Sequence, residues 1–430
     1  MERLLQNNEL RQLRLAEILI QEGNWLKIDY LAKKLKCSER ILKYDLKTFQ
    51  DTFTDFKIES SHLGVRMSFD ANTGFKNIYK DTFNSSTSFK ILEILFLNDH
   101  YSADELADLL YTSSSTIYRI INETNEVIKE YGFKIETNPC KVSGQEDKIR
   151  YFYYRFIFEK YTIFTWPYDR IYKELVTDLL HFFIDHTNAK VDFAYYNLAT
   201  LILSVNLIRY KKGCYINKNG SNFDLEKTLA NLSISKKETK YFENQYRLEI
   251  TKEFLIEIFS PVIQDGYSFN YEALIKEAQT DKLTNKRVSH LEKMLSRLSE
   301  DNKIPLINKK NLILSLYNVI YLENYDPRSR FILYDRNALF QNRVKKYFPS
   351  FYQSSLTEII NFIKITPLEL NQKTMNYLLY TLFTEWENLL IELRKNIYKI
   401  RILILSNRTP SHSQMIKNFL EAEYNDYIVC

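Results

Sequence analysis

Apolar side chains along the first 50 residues recur at helical spacing. Leu4, Leu5, Leu10, Leu13, Leu15, Ile18 and Leu19 form one stripe, and Gly23 ends it. A second short helix is predicted from about 28 to 35. Lys36-Cys37-Ser38 interrupts the pattern, and Ser38 is placed to cap a third helix from 39 to about 49. In that helix Ile41, Leu42, Leu46 and Phe49 share one face, while Lys43, Asp45 and Lys47 lie away from it. Two alternating segments follow, 56–59 and 65–69, joined by residues 60–64 as in a hairpin. Helix, helix, turn, helix, hairpin is the order of a winged helix-turn-helix.

The order then repeats. Helices are predicted at 91–97, 103–110 (capped by Ser102) and 114 to about 128. A second hairpin, 133–136 with 141–143, turns at Asn138-Pro139. At an offset of 75, Leu31 meets Leu106, Ala32 meets Ala107, Leu35 meets Leu110 and Ser38 meets Ser113. Leu42 then meets Ile117, and Leu46 meets Ile121. The Asn-, Thr- and Ser-containing stretch 72–88 reads as a linker between the two units.

From 149 to 395 the pattern is helical and rich in aromatics. It opens with IRYFYYRFIFEKYTIF and continues with stripes at 195–210, 240–259, 288–298, 312–322, 356–363 and 374–393. The polar stretch DKLTNKR suggests a boundary near 281–287, giving two helical domains of ordinary size. At 400–405 a short β-type run begins, followed by a helix at 412–422 and a strand start at 427–429, the opening of a βαβ unit. That unit stops at Cys430, so the chain is expected to be truncated there.

Composition sharpens this picture in a few places. Only 8 Gly and 8 Pro in 430 residues agree with long helices and short connections, and neither GxGxxG nor GxxxxGK[ST] occurs. The four cysteines form no CxxC, which suits a reduced cytoplasmic protein. No signal-peptide core and no run of about 18 uncharged apolar residues is present, so no membrane partner is expected. No catalytic or metal-ligand spacing stands out, so no enzyme activity and no cofactor is expected.

The full order resembles the Mga/AtxA-type transcriptional regulators of Gram-positive bacteria. The resemblance is carried most sharply by WLKIDYLAKKLKCSERILKYDLKTF and YGFKIETNPCKVSGQEDKIRYFYY. It implies a mainly α, multidomain chain. Its domains would be winged helix-turn-helix units at 1–71 and 89–150, helical PRD-like domains at 151–284 and 285–397, and an incomplete EIIB-like α/β segment at 398–430. It also implies double-stranded promoter DNA and a second copy of the chain as partners, and regulation of virulence or metabolic genes. Phosphotransferase-system proteins and RNA polymerase are further implied partners. The alternatives are an RNA-binding antiterminator, which would use a small β-module instead of paired helix-turn-helix units, and a phosphotransferase-system carrier or scaffold.

A helix-turn-helix lays its second helix in the major groove, N-terminal side chains toward the base edges. The first unit offers Ser38, Glu39, Arg40, Lys43, Tyr44 and Lys47, with Lys33 and Lys34 beside them. Arg66, Lys57 and His62 lie in the wing. Residues 27–47 hold seven basic and three acidic side chains, a balance of +4 against +5 for the whole chain. The second unit offers Ser114, Ser115, Thr116, Tyr118 and Arg119, but residues 102–122 hold one base and three acids. The first unit is therefore expected to dominate DNA affinity. Candidate phosphoacceptors are His181, His186 and His290. Relative to the family pattern, the helices YYNLATLILSVNLIR and LILSLYNVIYLEN lack the usual histidine. Ser406 and Asn407 follow the 400–405 strand where a catalytic EIIB domain places a cysteine.

Overall fold

The computed structural model of the chain describes residues 1–98, 100–161, 170–187, 193–216, 235–259, 267–268, 270–322, 331–333, 335–395, 400–406, 409–424 and 428–429. They fall into two units: Met1–Gly266 with Asn324–Asp335, and Tyr267–Glu323 with Arg336–Cys430.

In the first unit, α1 (Asn7–Glu22) buries Leu13, Leu15, Ala16 and Leu19 and ends at Gly23 in the left-handed conformation. Helices α2 (Ile28–Lys34) and α3 (Glu39–Thr52) follow, and the Ser38 hydroxyl accepts the Ile41 amide at the start of α3. Strands β1 (Phe56–Ser61) and β2 (Gly64–Phe69) form the antiparallel hairpin. Leu26 adds a third strand position by exchanging both backbone hydrogen bonds with Val65. This close approach explains Gly64: its φ is +123°, and a Cβ there would sit 2.0 Å from the Leu26 carbonyl oxygen.

The stretch expected as a linker is instead a helix, α4 (Phe75–Ser85), which buries Ile78, Tyr79, Thr82 and Phe83. Phe75, Ile78, Tyr79 and Phe83 form a stripe that the Asn and Ser around them obscured. The Tyr79 hydroxyl donates to Glu17 of α1 at 2.5 Å, and Phe83 packs edge-on against Phe89 and Phe156.

The second winged unit comprises α5 (Thr87–Leu97), α6 (Ala103–Leu109), α7 (Ser114–Ile128), β3 (Phe133–Thr137) and β4 (Cys140–Gly144). The offset of 75 extends to backbone geometry. Tyr101 bridges Cys140 as Leu26 bridges Val65. Tyr111 has φ 52° where Lys36 has φ 53°. The amide of Thr112 bonds Ala107 as that of Cys37 bonds Ala32, and Ser113 caps α7 as Ser38 caps α3. Both turns are therefore the same turn.

Directly after β4 comes α8 (Glu146–Lys160), buried over most of its circumference. Helices α9 (Arg170–Thr187), α10 (Phe193–Lys211), α11 (Lys236–Tyr246) and α12 (Lys252–Phe259) complete the described helical part of this unit. The stripe read at 240–259 is thus two helices, parted at Arg247 in the left-handed conformation.

A buried charge cluster fixes α8. Arg150 donates to Glu146 (2.9 Å), to the Glu257 carboxylate and backbone carbonyl, and to the Cys214 carbonyl (2.9 Å). Arg209 donates to both Glu146 oxygens (2.9 and 2.7 Å), and the Ile216 amide donates to Glu257 (2.9 Å). At its far end, Glu159 accepts the backbone amides of Ile332 and Leu333, so the segment 331–333 is held in this unit.

The second unit contains α13 (Tyr271–Thr280), α14 (Lys282–Asn302), α15 (Lys309–Leu322), α16 (Arg336–Tyr347), α17 (Pro349–Ile363), α18 (Gln372–Glu385) and α19 (Leu389–Lys395). Leu291, Leu295, Leu316, Ile359, Phe362, Leu378 and Trp386 lie in their common core. The boundary expected at 284/285 falls inside α14. The polar run there is its capped first turn, with Asp281 accepting the Thr284 amide at 2.6 Å. Beyond α19, β5 (Ile400–Arg401) pairs in parallel with β6 (Ile428–Val429) across α20 (Pro410–Tyr424), as a βαβ unit requires. Only 400–401 of the expected 400–405 strand is paired.

Two stability predictions follow from the first unit. Arg150→Leu strands buried carboxylate and carbonyl groups and is expected to cost about 3–5 kcal/mol. Urea denaturation followed by a probe in that unit measures it, and a loss below about 1 kcal/mol would show that water reaches the cluster. The second prediction concerns Asp81 on α4. Its Oδ2 is buried with no hydrogen-bond partner among the described residues. Burial, with Asp55 adding and Lys80 opposing, pushes this carboxyl up to about 6. The folded state holds the proton more tightly, so this group favours folding as pH falls from about 6 toward about 4 and disfavours it as pH rises. Asp81→Asn is therefore expected to raise Tm at pH 7.5 and to give no gain at pH 4. An equal shift at both values contradicts this.

Candidate nucleic-acid interface

The solvent face of α3 is set by what α1 takes from it. Asp45, expected to point outward, is 1% exposed and clamped by Arg11, whose Nη2 lies 2.9 Å from Oδ1 and whose Nε donates to Oδ2. Gln12 of α1 bonds Thr48 at 2.9 Å. A sequence pattern assigns charge to the outside because the partner guanidinium, 34 positions away, is invisible to it. Ile41, expected in the core, is 42% exposed. The outward face of α3 thus carries Arg40, Ile41, Lys43, Tyr44 and Lys47.

Charge on this face is largely uncommitted. Lys43 lies 3.8 Å from Glu39, an exposed pair of little worth. Lys33, Lys36, Arg40 and Lys47 are exposed and make no ion pair among the described residues. Lys34 is occupied, bonding Glu22 and the Tyr30 hydroxyl at 3.1 Å each. Ser38 spends its hydroxyl on the helix cap. In the wing, Arg66 donates to Glu59 at 2.6 Å and lies 4.9 Å over the Trp25 ring, so it is held against the body of the hairpin. Lys57 and His62 are exposed beside it.

The second unit places the matching groups differently. The Ser114 hydroxyl donates to Asp104 of α6. Thr116 lies 2.8 Å from the Ser113 hydroxyl that caps α7, and Ser115 lies 2.9 Å from it. Arg119 pairs with Glu123 at 2.8 Å. Tyr118 is exposed, and Tyr111, missed by pattern reading, is 98% exposed in the turn. Asp104, Glu105 and Asp108 are exposed on α6. One scaffold therefore presents free cations in the first unit and internally paired hydroxyls with carboxylates in the second.

The three candidate histidines do not converge. His181 is exposed on α9, its Nε2 3.3 Å from the Tyr196 hydroxyl. His186 directs Nδ1 to the Phe182 carbonyl at 2.8 Å and Nε2 toward Glu238 at 3.3 Å. His290, in the second unit, packs against Phe362 with Nε2 buried and without a partner among the described residues. Burial pulls its pKa below the ordinary histidine value. Burial raises the Cys37 and Cys140 thiols, the opposite of an activated nucleophile. Among the described residues no helix is long and apolar enough to cross a membrane. Of the loop after β5, Ser406 is described and bonds His412 at 3.0 Å; Asn407 lies outside the described residues.

Comparison with known proteins finds three family matches along the chain, the last of which spans parts of both structural units. The family described as the M protein trans-acting positive regulator (MGA) HTH domain matches residues 7–61, and the Mga helix-turn-helix domain matches 71–157. The M protein trans-acting positive regulator (MGA) PRD domain matches 172–389. A putative trans-acting regulator of Streptococcus pneumoniae is 28% identical over 420 residues, covering 97% of this chain and 85% of its own. The anthrax toxin expression trans-acting positive regulator of Bacillus anthracis is 21% identical over 449 residues, covering 99% and 87%. The capsule synthesis positive regulator AcpA of the same organism is 21% identical over 321 residues, covering 70% and 64%. With both helix-turn-helix domains and a PRD domain spanning half its length, the chain belongs to the Mga family of regulators.

Proposed function

We propose that the chain is a DNA-binding transcriptional regulator that grips promoter DNA chiefly through α3 of its first winged unit. The observation that carries this is the set of exposed, unpaired cations Lys33, Lys36, Arg40 and Lys47 on one helix-turn-helix. The second unit, with Arg119 already paired to Glu123 and three carboxylates on α6, adds position more than affinity. Both units present a helix of the length and capping that a major groove accepts. The relatives' names, trans-acting and positive regulators, support activation as the output.

The PRD-like helical half serves as the receiver of a signal linked to the phosphotransferase system and as the surface for a homodimer. RNA polymerase is the partner that a positive regulator must reach, and the cytoplasm is where promoter, polymerase and phosphotransferase proteins meet. Among the three histidines, His181 is the accessible one. A phosphoryl group there adds about two negative charges beside Tyr196 and can shift neighbouring helices.

Gel-shift titrations with duplex DNA and structured RNA over a salt series test the main reading. A steep salt slope on DNA alone supports it, and preference for RNA overturns it in favour of an antiterminator. Arg40→Ala is expected to cost about 1–3 kcal/mol and to relax base preference, while Lys33→Ala weakens all sequences alike and lowers the salt slope by about 1. Arg119→Ala is expected to do less than Arg40→Ala. Wild-type affinity for Arg40→Ala at every salt concentration would remove that residue from the interface. For the signal, incubation with the phosphotransferase proteins and phosphoenolpyruvate, then phosphopeptide mapping, is expected to mark His181. Label on His186 or His290 alone would refute that assignment.

A further inference from the structure

Ile41 and Tyr44 are three positions apart on α3, one turn of helix, and neither belongs to the core. Ile41 is 42% and Tyr44 67% exposed. A lone exposed apolar side chain needs no explanation. This pair is different in its setting, because Arg40, Lys43 and Lys47 surround it on the face that carries the unpaired charge. The Tyr44 ring is not held back by its own hydroxyl, which makes no hydrogen bond among the described residues. The helix leaves these two apolar surfaces in water while Asp45, next to Tyr44 in sequence, is drawn inside by Arg11. At the equivalent positions of α7 stand Thr116 and Arg119, so the feature belongs to the first unit alone.

We propose that Ile41 and Tyr44 are specificity determinants that read the 5-methyl groups of thymine in the major groove. This rests on α3 being the DNA-facing helix. The occupant is fixed by charge: three cationic side chains, Arg40, Lys43 and Lys47, around a small apolar patch suit a polyanion that also displays methyl groups. In the major groove thymine is the one standard base that does so. Lys43 and Lys47 supply approach and grip without sequence information, and Arg40 adds its own base-edge contact. Ile41 and the Tyr44 ring then distinguish a thymine methyl from the bare edge of another pyrimidine, because each gains only when its apolar surface is covered.

The test uses the full chain. A preferred duplex is selected from a random-sequence library and resynthesised with deoxyuridine replacing thymidine at one position at a time, which removes only the methyl group. Wild type is expected to lose about four-fold in affinity at one or two positions, the worth of one buried methyl. Ile41→Ala is expected to bind the thymine and uracil duplexes equally at one of those positions, and Tyr44→Ala at the other. Tyr44→Phe, which keeps the ring, should retain the wild-type ratio. Both side chains are exposed, so the alanine variants should melt like wild type, and circular dichroism checks this. If every single-uracil duplex binds wild type as tightly as thymine, the proposal is wrong. It is also wrong if the alanine variants keep the wild-type thymine-to-uracil ratio. Absence of salt-dependent binding to any duplex would overturn the underlying reading of α3 as well, so the two failures are distinguishable.

Discussion

Arg150 is the side chain on which the first unit turns. It is almost wholly buried and donates to two carboxylates and two backbone carbonyls contributed by different segments. Glu146 in turn binds Arg209, so two guanidinium groups and two carboxylates neutralise one another away from water. Apolar residues of similar size could fill the space at no greater free energy. What an apolar filling lacks is directionality. A smooth helix rich in Phe and Tyr can settle at more than one rotation, whereas forked donors facing paired carboxylates accept one. Since α8 begins two residues after the second wing, fixing its rotation also fixes where that wing ends.

The two winged units separate scaffold from chemistry. Their bridges, turns, left-handed residues and helix caps correspond at a constant offset, so the backbone problem has been solved the same way twice. The side chains on the outward helix are not repeated. Where the first unit has Arg40, Lys43 and Lys47, the second has Ser115, Tyr118 and Asn122. A shared fold licenses the inference of a shared docking shape and nothing about relative affinity, which lives in the exposed groups.

Local signals were legible in the sequence where they are local in cause. Serine caps, turn residues and alternating hairpins depend on neighbours a few positions away, and the repeat was found from them. Three features read differently from the structure, two of them because their partners lie far along the chain. Asp45 looked solvated because Arg11 lies on another helix. Residues 75–85 looked like a linker because Phe156 and Glu17, which cover that helix, lie far along the chain in either direction. The polar run near 284 looked like a domain break because a capped, charged first turn and a linker have the same composition. The candidate site was partly visible: its cations and Tyr44 were readable from the sequence, while Ile41 was expected in the core.

That last point bears on how a chain of net charge +5 recognises DNA at all. Residues 1–150 hold 21 basic and 23 acidic side chains, so no broad positive field surrounds the winged units. On the reading proposed here, phosphate neutralisation falls chiefly to the few cations left unpaired near α2 and α3, and each contributes one released counterion at most. Such an interface has little sequence-independent affinity to spend. Discrimination must then come from contacts whose strength does not depend on net charge, namely base-edge hydrogen bonds, shape and apolar coverage inside the groove. On the proposed reading, a helix that withdraws its own carboxylate and turns isoleucine and tyrosine outward divides the labour: few cations to hold the backbone, and Arg40 with an uncharged surface to read what lies between the strands.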